Sequence, residues 1–297
     1  MSSETLFLQK NKWPFFKAFA LAWLANSIFF GFGNWDDYID RWWRDVVFDN
    51  RVIVPILIFL VAPTVYALIR RENPIWGLIA SFVPVGVAVG AINVTVPLVG
   101  LSPAEEAVGS SAMYTPLAIG LILSYACRVF VPPYEYKPET TGATGFFICW
   151  LITNFSVSYY LFAFDQTPEM FINGYAILAM TGAILCCFAV NDKAQLSVGE
   201  VMARAGLFAC LLGAVSLVTL YTAAVAANEV KDIGPVMAGC QILMLYGAIM
   251  IIAASACGVR APTDKELMTR DWHITEAFVF ISLIVWPPKT LFELGVS

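Results

Sequence analysis

The chain has 297 residues, 59% of them hydrophobic and only 13% charged, with a mean hydropathy of +0.74. Soluble domains carry about 25% charged residues, so a water-soluble globule is excluded and an all-α polytopic bundle of transmembrane helices is expected. The net charge of −5 is spread over short loops without a basic patch, which leaves no nucleic-acid footprint.

Apolar windows of about 20 residues place spans at 13–33, 51–70, 76–100, 112–132, 143–163, 171–190, 203–227, 236–258 and 274–287. The last is short and closed by Pro287-Pro288. It either crosses as a ninth helix or lies in the interface, so eight or nine spans are expected. Lys10 and Lys12 precede the first apolar run, and Ala20-x-Ala22 imitates a cleavage site. Cleavage there would leave too short an apolar core for a signal peptide, so this run is taken as a retained first span.

Between the first two spans lies Trp35 to Asp49, WDDYIDRWWRDVVFD. Trp35, Tyr38, Ile39, Trp42, Trp43, Val46 and Val47 form one helical stripe, with Asp36, Asp37, Asp40, Arg41, Arg44 and Asp45 opposite. Asn34 suits the N-cap, and Asp37/Arg41 and Asp40/Arg44 are spaced i,i+4. Trp35, Tyr38, Trp42 and Trp43 have the rings that favour the headgroup boundary. The segment is expected to lie flat on the membrane surface as an amphipathic helix. It also fits packing against the protein's own extramembrane face or a partner.

Twelve of the seventeen Lys and Arg fall on one flank of the spans: Lys10, Lys12, Lys17, Arg70, Arg71, Arg128, Lys137, Lys193, Arg204, Arg260, Lys265 and Arg270. Arg41, Arg44, Arg51, Lys231 and Lys289 are left for the other. The positive-inside bias then puts the N-terminus in the cytoplasm of a cell inner (plasma) membrane, with the Trp-rich helix on the far side.

A-C-x-V-x-x-P occurs at Ala126–Pro132 and again at Ala256–Pro262, each closing a fourth span. Two parallel four-span units would follow, 1–137 and 138–262, with 263–297 as a final short span and tail. Spans two to four contain Pro55, Pro63, Pro84, Pro97 and Pro116, whereas spans five to seven have no interior Pro. A proline frees a carbonyl and kinks its helix, which favours an aqueous path in the first half and a stiffer second half.

All seven cysteines lie in or beside apolar spans, where thiols serve as small packing groups. Cys186 and Cys187 are adjacent rather than spaced as a redox or metal motif. The single histidine, His273, excludes a bis-His haem held by this chain alone and any site of several imidazoles. No metal or cofactor is therefore expected. No Asp, Glu, Lys or Arg lies near the middle of spans one to eight, which disfavours proton-coupled pumping. Phosphate loops, nucleophile elbows and zincin motifs are absent, and no enzyme is expected.

Uncharged polar residues do occur at depth: Asn26, Ser81, Asn93, Thr95, Asn154, Ser156, Ser158, Thr181, Ser216, Thr219, Gln241 and Ser255. Asn93 and Thr95 beside Pro97, with Ser81 and Pro84 earlier in the same span, combine helix breaks with hydrogen-bonding groups. Such groups suit a path for a small neutral solute, whose hydration they replace. They equally suit hydrogen bonds between helices. Gly86-x-x-x-Gly90 and Ala205-x-x-x-Ala209-x-x-x-Gly213 mark faces where backbones approach closely, within the chain or in a homo-oligomer. His273 and Glu276, three apart, would share a helix face as a proton or quinone contact or as an ordinary interfacial pair.

Three functions fit: a passive channel or facilitator for a small uncharged solute, a non-catalytic subunit of a larger membrane assembly, or a quinone-facing anchor. Lipid is the common partner, with other membrane subunits or a second copy of the chain in the second case.

Overall fold

A computed structural model describes residues 50–70, 75–100, 116–117, 119–121, 123–124, 143–163, 168–191, 197–227 and 234–257. The expected spans at 13–33 and 274–287 and the helix at 35–49 lie outside the described residues, as do both unit boundaries. Every described element is helical: α1 (Asn50–Phe59), α2 (Val61–Arg70), α3 (Ile75–Gly100), α4 (Ala143–Ala163), a 3-10 turn (Pro168–Phe171), α5 (Gly174–Asn191), α6 (Val198–Ala227) and α7 (Gly234–Ala256). Ala143–Ala163, Val198–Leu217 and Met237–Ala256 are long and apolar enough to cross a membrane.

α1 and α2 follow one another with a break at Leu60. Pro63 has no N–H to give the carbonyl of Phe59, and its ring crowds that carbonyl, so the helix ends and restarts with proline in the first turn of α2. The Thr64 hydroxyl donates to the carbonyl of Leu60 at 2.8 Å, the same oxygen that accepts the Thr64 N–H at 3.3 Å. α6 begins earlier than the apolar window implies because Ser197 and Glu200 form a capping box. The Ser197 N–H donates to Glu200 Oε2 at 2.9 Å, and the Glu200 N–H to Ser197 Oγ at 3.4 Å. α5 is capped in turn by Asn173, whose Oδ1 accepts the Ala176 N–H at 3.0 Å.

Two helices form the centre. α3 is buried on every side from Ile79 to Ile92, and 83% of the apolar window of α7 is buried, against 39% and 44% in α4 and α6. α4, α5 and α6 surround them and turn Phe147, Leu151, Phe155, Phe162, Leu178, Leu185 and Val215 outward. In water that surface would be an aggregation site; in hydrocarbon it is the expected exterior.

The direction of each helix is legible from what meets at one end. Tyr66 of α2, Phe146 and Cys149 of α4, and Ala253 to Cys257 of α7 form one apolar cluster, against which Met202 and Ala203 of α6 pack. Gly77 of α3 lies against Ser255 and Pro63 at the same end. α2 and α7 therefore run toward this end, and α3, α4 and α6 away from it. Gly86 meets Pro116 and Leu117 while Gly120 meets Phe82 and Val83, so the helical residues 116–124 that are described run antiparallel to α3.

Small residues hold α6 on α7. A Cβ at Gly206 would lie 2.6 Å from the carbonyl oxygen of Gly247, one at Gly247 would strike the carbonyl of Gly206, and one at Gly213 would lie 2.8 Å from the Cys240 oxygen. Ala205 and Ala209 are fully buried beside them. Without side-chain bulk the two backbones gain dispersion contact along their length.

α3 is tied to α7 by a different device. Pro84 has no N–H for the carbonyl of Ala80, and the Ser255 hydroxyl of α7 donates to that oxygen at 3.4 Å. A carbonyl released by proline in lipid is satisfied from the neighbouring helix.

Gly206→Val or Gly247→Val is expected to cost about 1–3 kcal/mol in detergent-unfolding measurements, as overpacking does. Gly182→Val, with nothing within 4 Å of its added Cβ, is expected to stay within about 0.5 kcal/mol of the parent. Ser255→Ala is expected to cost about 1 kcal/mol. In a Pro84→Ala chain, where the N–H at position 84 returns, the same change should cost little. Equal costs in both backgrounds would refute the tie.

Candidate functional site

Residues of α3 sort by face before they sort by chemistry. At about 100° per residue, Ser81, Pro84 and Thr95 share one sector, and Asn93 and Pro97 lie on the other side. The Ser81 hydroxyl donates to the Gly77 carbonyl at 2.7 Å, and the Thr95 hydroxyl to the Ala91 carbonyl at 2.7 Å. Both protons are spent inside α3, leaving oxygen lone pairs as the free capacity. Ser81 and Thr95 are fully buried; Asn93 is half-buried and engaged with the rest of the protein. Pro97 lies three residues before the end of α3.

α7 brings a further polar residue to this height. Ser255 and Ala80 fix one level shared by α3 and α7, and the two run in opposite directions. At about 1.5 Å per residue, Asn93 and Thr95 stand roughly 20 and 22 Å above it, and Gln241 roughly 21 Å. Gln241 is 2% exposed, and it lies within about 40° of the face that carries Ser255.

The connection between α4 and α5 reaches the same height. A Cβ on Gly239 would lie 3.1 Å from Nδ2 of Asn173, so the bare glycine gives the amide its seat. The Tyr246 hydroxyl donates to the carbonyl of Phe171 at 2.6 Å, fastening the 3-10 turn to α7. By helical rise Asn93, Thr95, Asn173 and Gln241 stand at one height, with Asn93 on the face of α3 that Gly86 turns toward Pro116 and Leu117. The four offer amide donors and acceptors and one hydroxyl, and none of the side chains titrates near neutrality.

Four other hydroxyls at depth are spent within their own helices. Thr153, Ser156, Thr181 and Thr219 each donate to the carbonyl four residues earlier, as does the amide of Asn154. Ser124 is buried with no hydrogen-bond partner among the described residues. Cys149, Cys210, Cys240 and Cys257 are buried as packing groups, Cys210 also donating to the Met244 carbonyl at 3.4 Å; Cys187 is half-buried and Cys186 exposed. Trp35, Tyr38, Trp42 and Trp43 lie outside the described residues, as do His273 and Glu276.

Asn173 was not singled out from sequence, although Asn-Gly before an apolar run is a helix-start signal. Gln241 stood among the polar residues at depth, but only the pairing of α3 with α7 brings it level with Asn93.

Long apolar helices with large hydrophobic side chains turned outward define a membrane protein. No protein-family model, no curated protein and no solved structure matches the chain.

Proposed function

We propose that the chain is a passive facilitator for a small uncharged solute, which crosses the bundle past Asn93, Thr95, Asn173 and Gln241. The observation that supports this is that the buried Thr95 and Gln241 and the half-buried Asn93 stand at one height on the two central helices. Such groups replace a neutral solute's hydration without binding an ion.

The chain is read as a multi-pass protein of the plasma (inner) membrane with eight or nine spans and a cytoplasmic N-terminus. Alternating helix directions from α2 onward support the span order. The division into units 1–137 and 138–262, with the tail 263–297, rests on the repeated A-C-x-V-x-x-P pattern.

A second reading, a non-catalytic subunit of a larger membrane assembly, is favoured by the outer face of α4. There Phe147 stacks on Trp150 at 5.7 Å, and Leu151, Phe155, Tyr159 and Phe162 continue an exposed, largely aromatic stripe. Such a stripe suits either lipid or a neighbouring helix.

The test is solute permeability of vesicles containing the purified chain. Gln241→Leu and Asn93→Leu are each expected to lower the rate at least about ten-fold, equivalent to about 1.4 kcal/mol of barrier. Ser81→Ala, whose hydroxyl serves its own helix, is expected to leave it within about two-fold. Vesicles no more permeable than empty ones, from a chain that purifies only with other subunits, would favour the second reading.

A further inference from the structure

Arg204 stands inside the apolar part of its helix. A span opening at 203 would put this residue at the very edge, but the stretch of α6 long and apolar enough to cross a membrane is Val198–Leu217. Arg204 therefore lies roughly 9 Å along the axis from its start. The neighbouring helices agree. Gly206 faces Gly247, Met250 and Ile251 of α7, so Arg204 lies roughly 6–9 Å short of Ala256, where the apolar window of α7 ends. Arg204 also interacts electrostatically with Cys187 of α5, and Cys187 lies about 6 Å short of Asn191, the last residue of that helix.

Arg204 is exposed, and among the described residues no ion pair engages it. Glu200, one turn earlier, is held by the cap, its Oε2 accepting both the N–H and the hydroxyl of Ser197. A guanidinium set this far in reaches back toward the headgroups or draws them toward it. It stays charged, and its planar fork matches the oxygens of a phosphate. Deeper along the same face α6 is apolar: Phe208 and Val215 are exposed and Leu211 is half-buried, all within about 40° of Arg204 around the axis. One leaflet is about half of a 30 Å hydrocarbon layer, so a chain hanging from a phosphate at Arg204 lies against Phe208 and Leu211. Val215, roughly 25 Å from Val198, belongs to the other leaflet.

We propose that Arg204 holds the phosphate of an anionic phospholipid of the leaflet in which α6 begins, with an acyl chain of that lipid lying along Phe208 and Leu211. Charge selects the lipid. A zwitterionic headgroup brings its own cation to its phosphate, whereas an anionic one leaves the negative charge for Arg204. The site is independent of the facilitator reading.

Native mass spectrometry of the purified full chain, exchanged into mixed phosphatidylglycerol and phosphatidylcholine, tests the site. Photocrosslinking from phosphatidylglycerol with a diazirine in its acyl chain tests the path of that chain. Retained phosphatidylglycerol is expected to exceed phosphatidylcholine about five-fold, the worth of one basic side chain at an anionic surface. Arg204→Gln is expected to erase the preference, and Arg204→Lys, which keeps the charge without the fork, to retain part of it. Crosslinks in the parent chain are expected to concentrate on Phe208 and Leu211 over Leu151, which faces out of α4 at a similar depth. Equal retention of the two lipids by the parent, or an undiminished preference in Arg204→Gln, overturns the site. Crosslinks as dense at Leu151 as at Phe208 mean bulk lipid only and overturn it as well, without recourse to any variant. Displacement of phosphatidylglycerol by inorganic phosphate would make the ligand a free anion and overturn the lipid assignment.

Discussion

A backbone carbonyl in hydrocarbon needs a donor, and Pro84 brings no N–H to the carbonyl of Ala80. The Ser255 hydroxyl donates to it from α7 at 3.4 Å, which marks the relative height of the two most buried helices. Their opposite directions do the rest: the level of Gln241 beside Asn93 and Thr95 follows from helical rise alone.

Packing against the centre relies on subtraction. Glycine and alanine on α6 let its backbone reach Gly247 and Cys240, and the glycine pair at positions 86 and 120 does the same between α3 and the helical residues near 116–124. Bulk is moved instead to the outside of α4, α5 and α6, where aromatic and branched side chains are exposed. A membrane bundle gains little from burying oil against oil, so close backbone contact and satisfied polar groups decide which faces point inward.

Much of this was legible in the sequence. The bounds of α4 coincide with the apolar window 143–163, because no cap or proline disturbs either end. The Ala205, Ala209 and Gly213 stripe does mark a close contact, although Gly206, one residue off that stripe, makes the tightest approach. α6 begins at Val198 rather than 203 because Ser197 and Glu200 cap it ahead of the hydrophobic run. What the sequence hid was rank and level. α3 and α7 are no more obviously central than α4, since a helix in lipid is apolar on both its protein and lipid faces and carries no amphipathic stripe to orient it. Prolines pointed to the first half for a path, yet Gln241 of the proline-poor second half stands level with it, which only tertiary pairing reveals.

A lipid-phase carbene probe activated in vesicles of the intact chain, with modified residues mapped by mass spectrometry, tests the central arrangement directly. Insertion is expected along α4 and α5 at Leu151, Phe155, Leu178 and Leu185, with residues 79–92 of α3 and 240–254 of α7 unmarked. Carbene insertion into α7 as dense as that into α4 would contradict the placement of α3 and α7 at the centre.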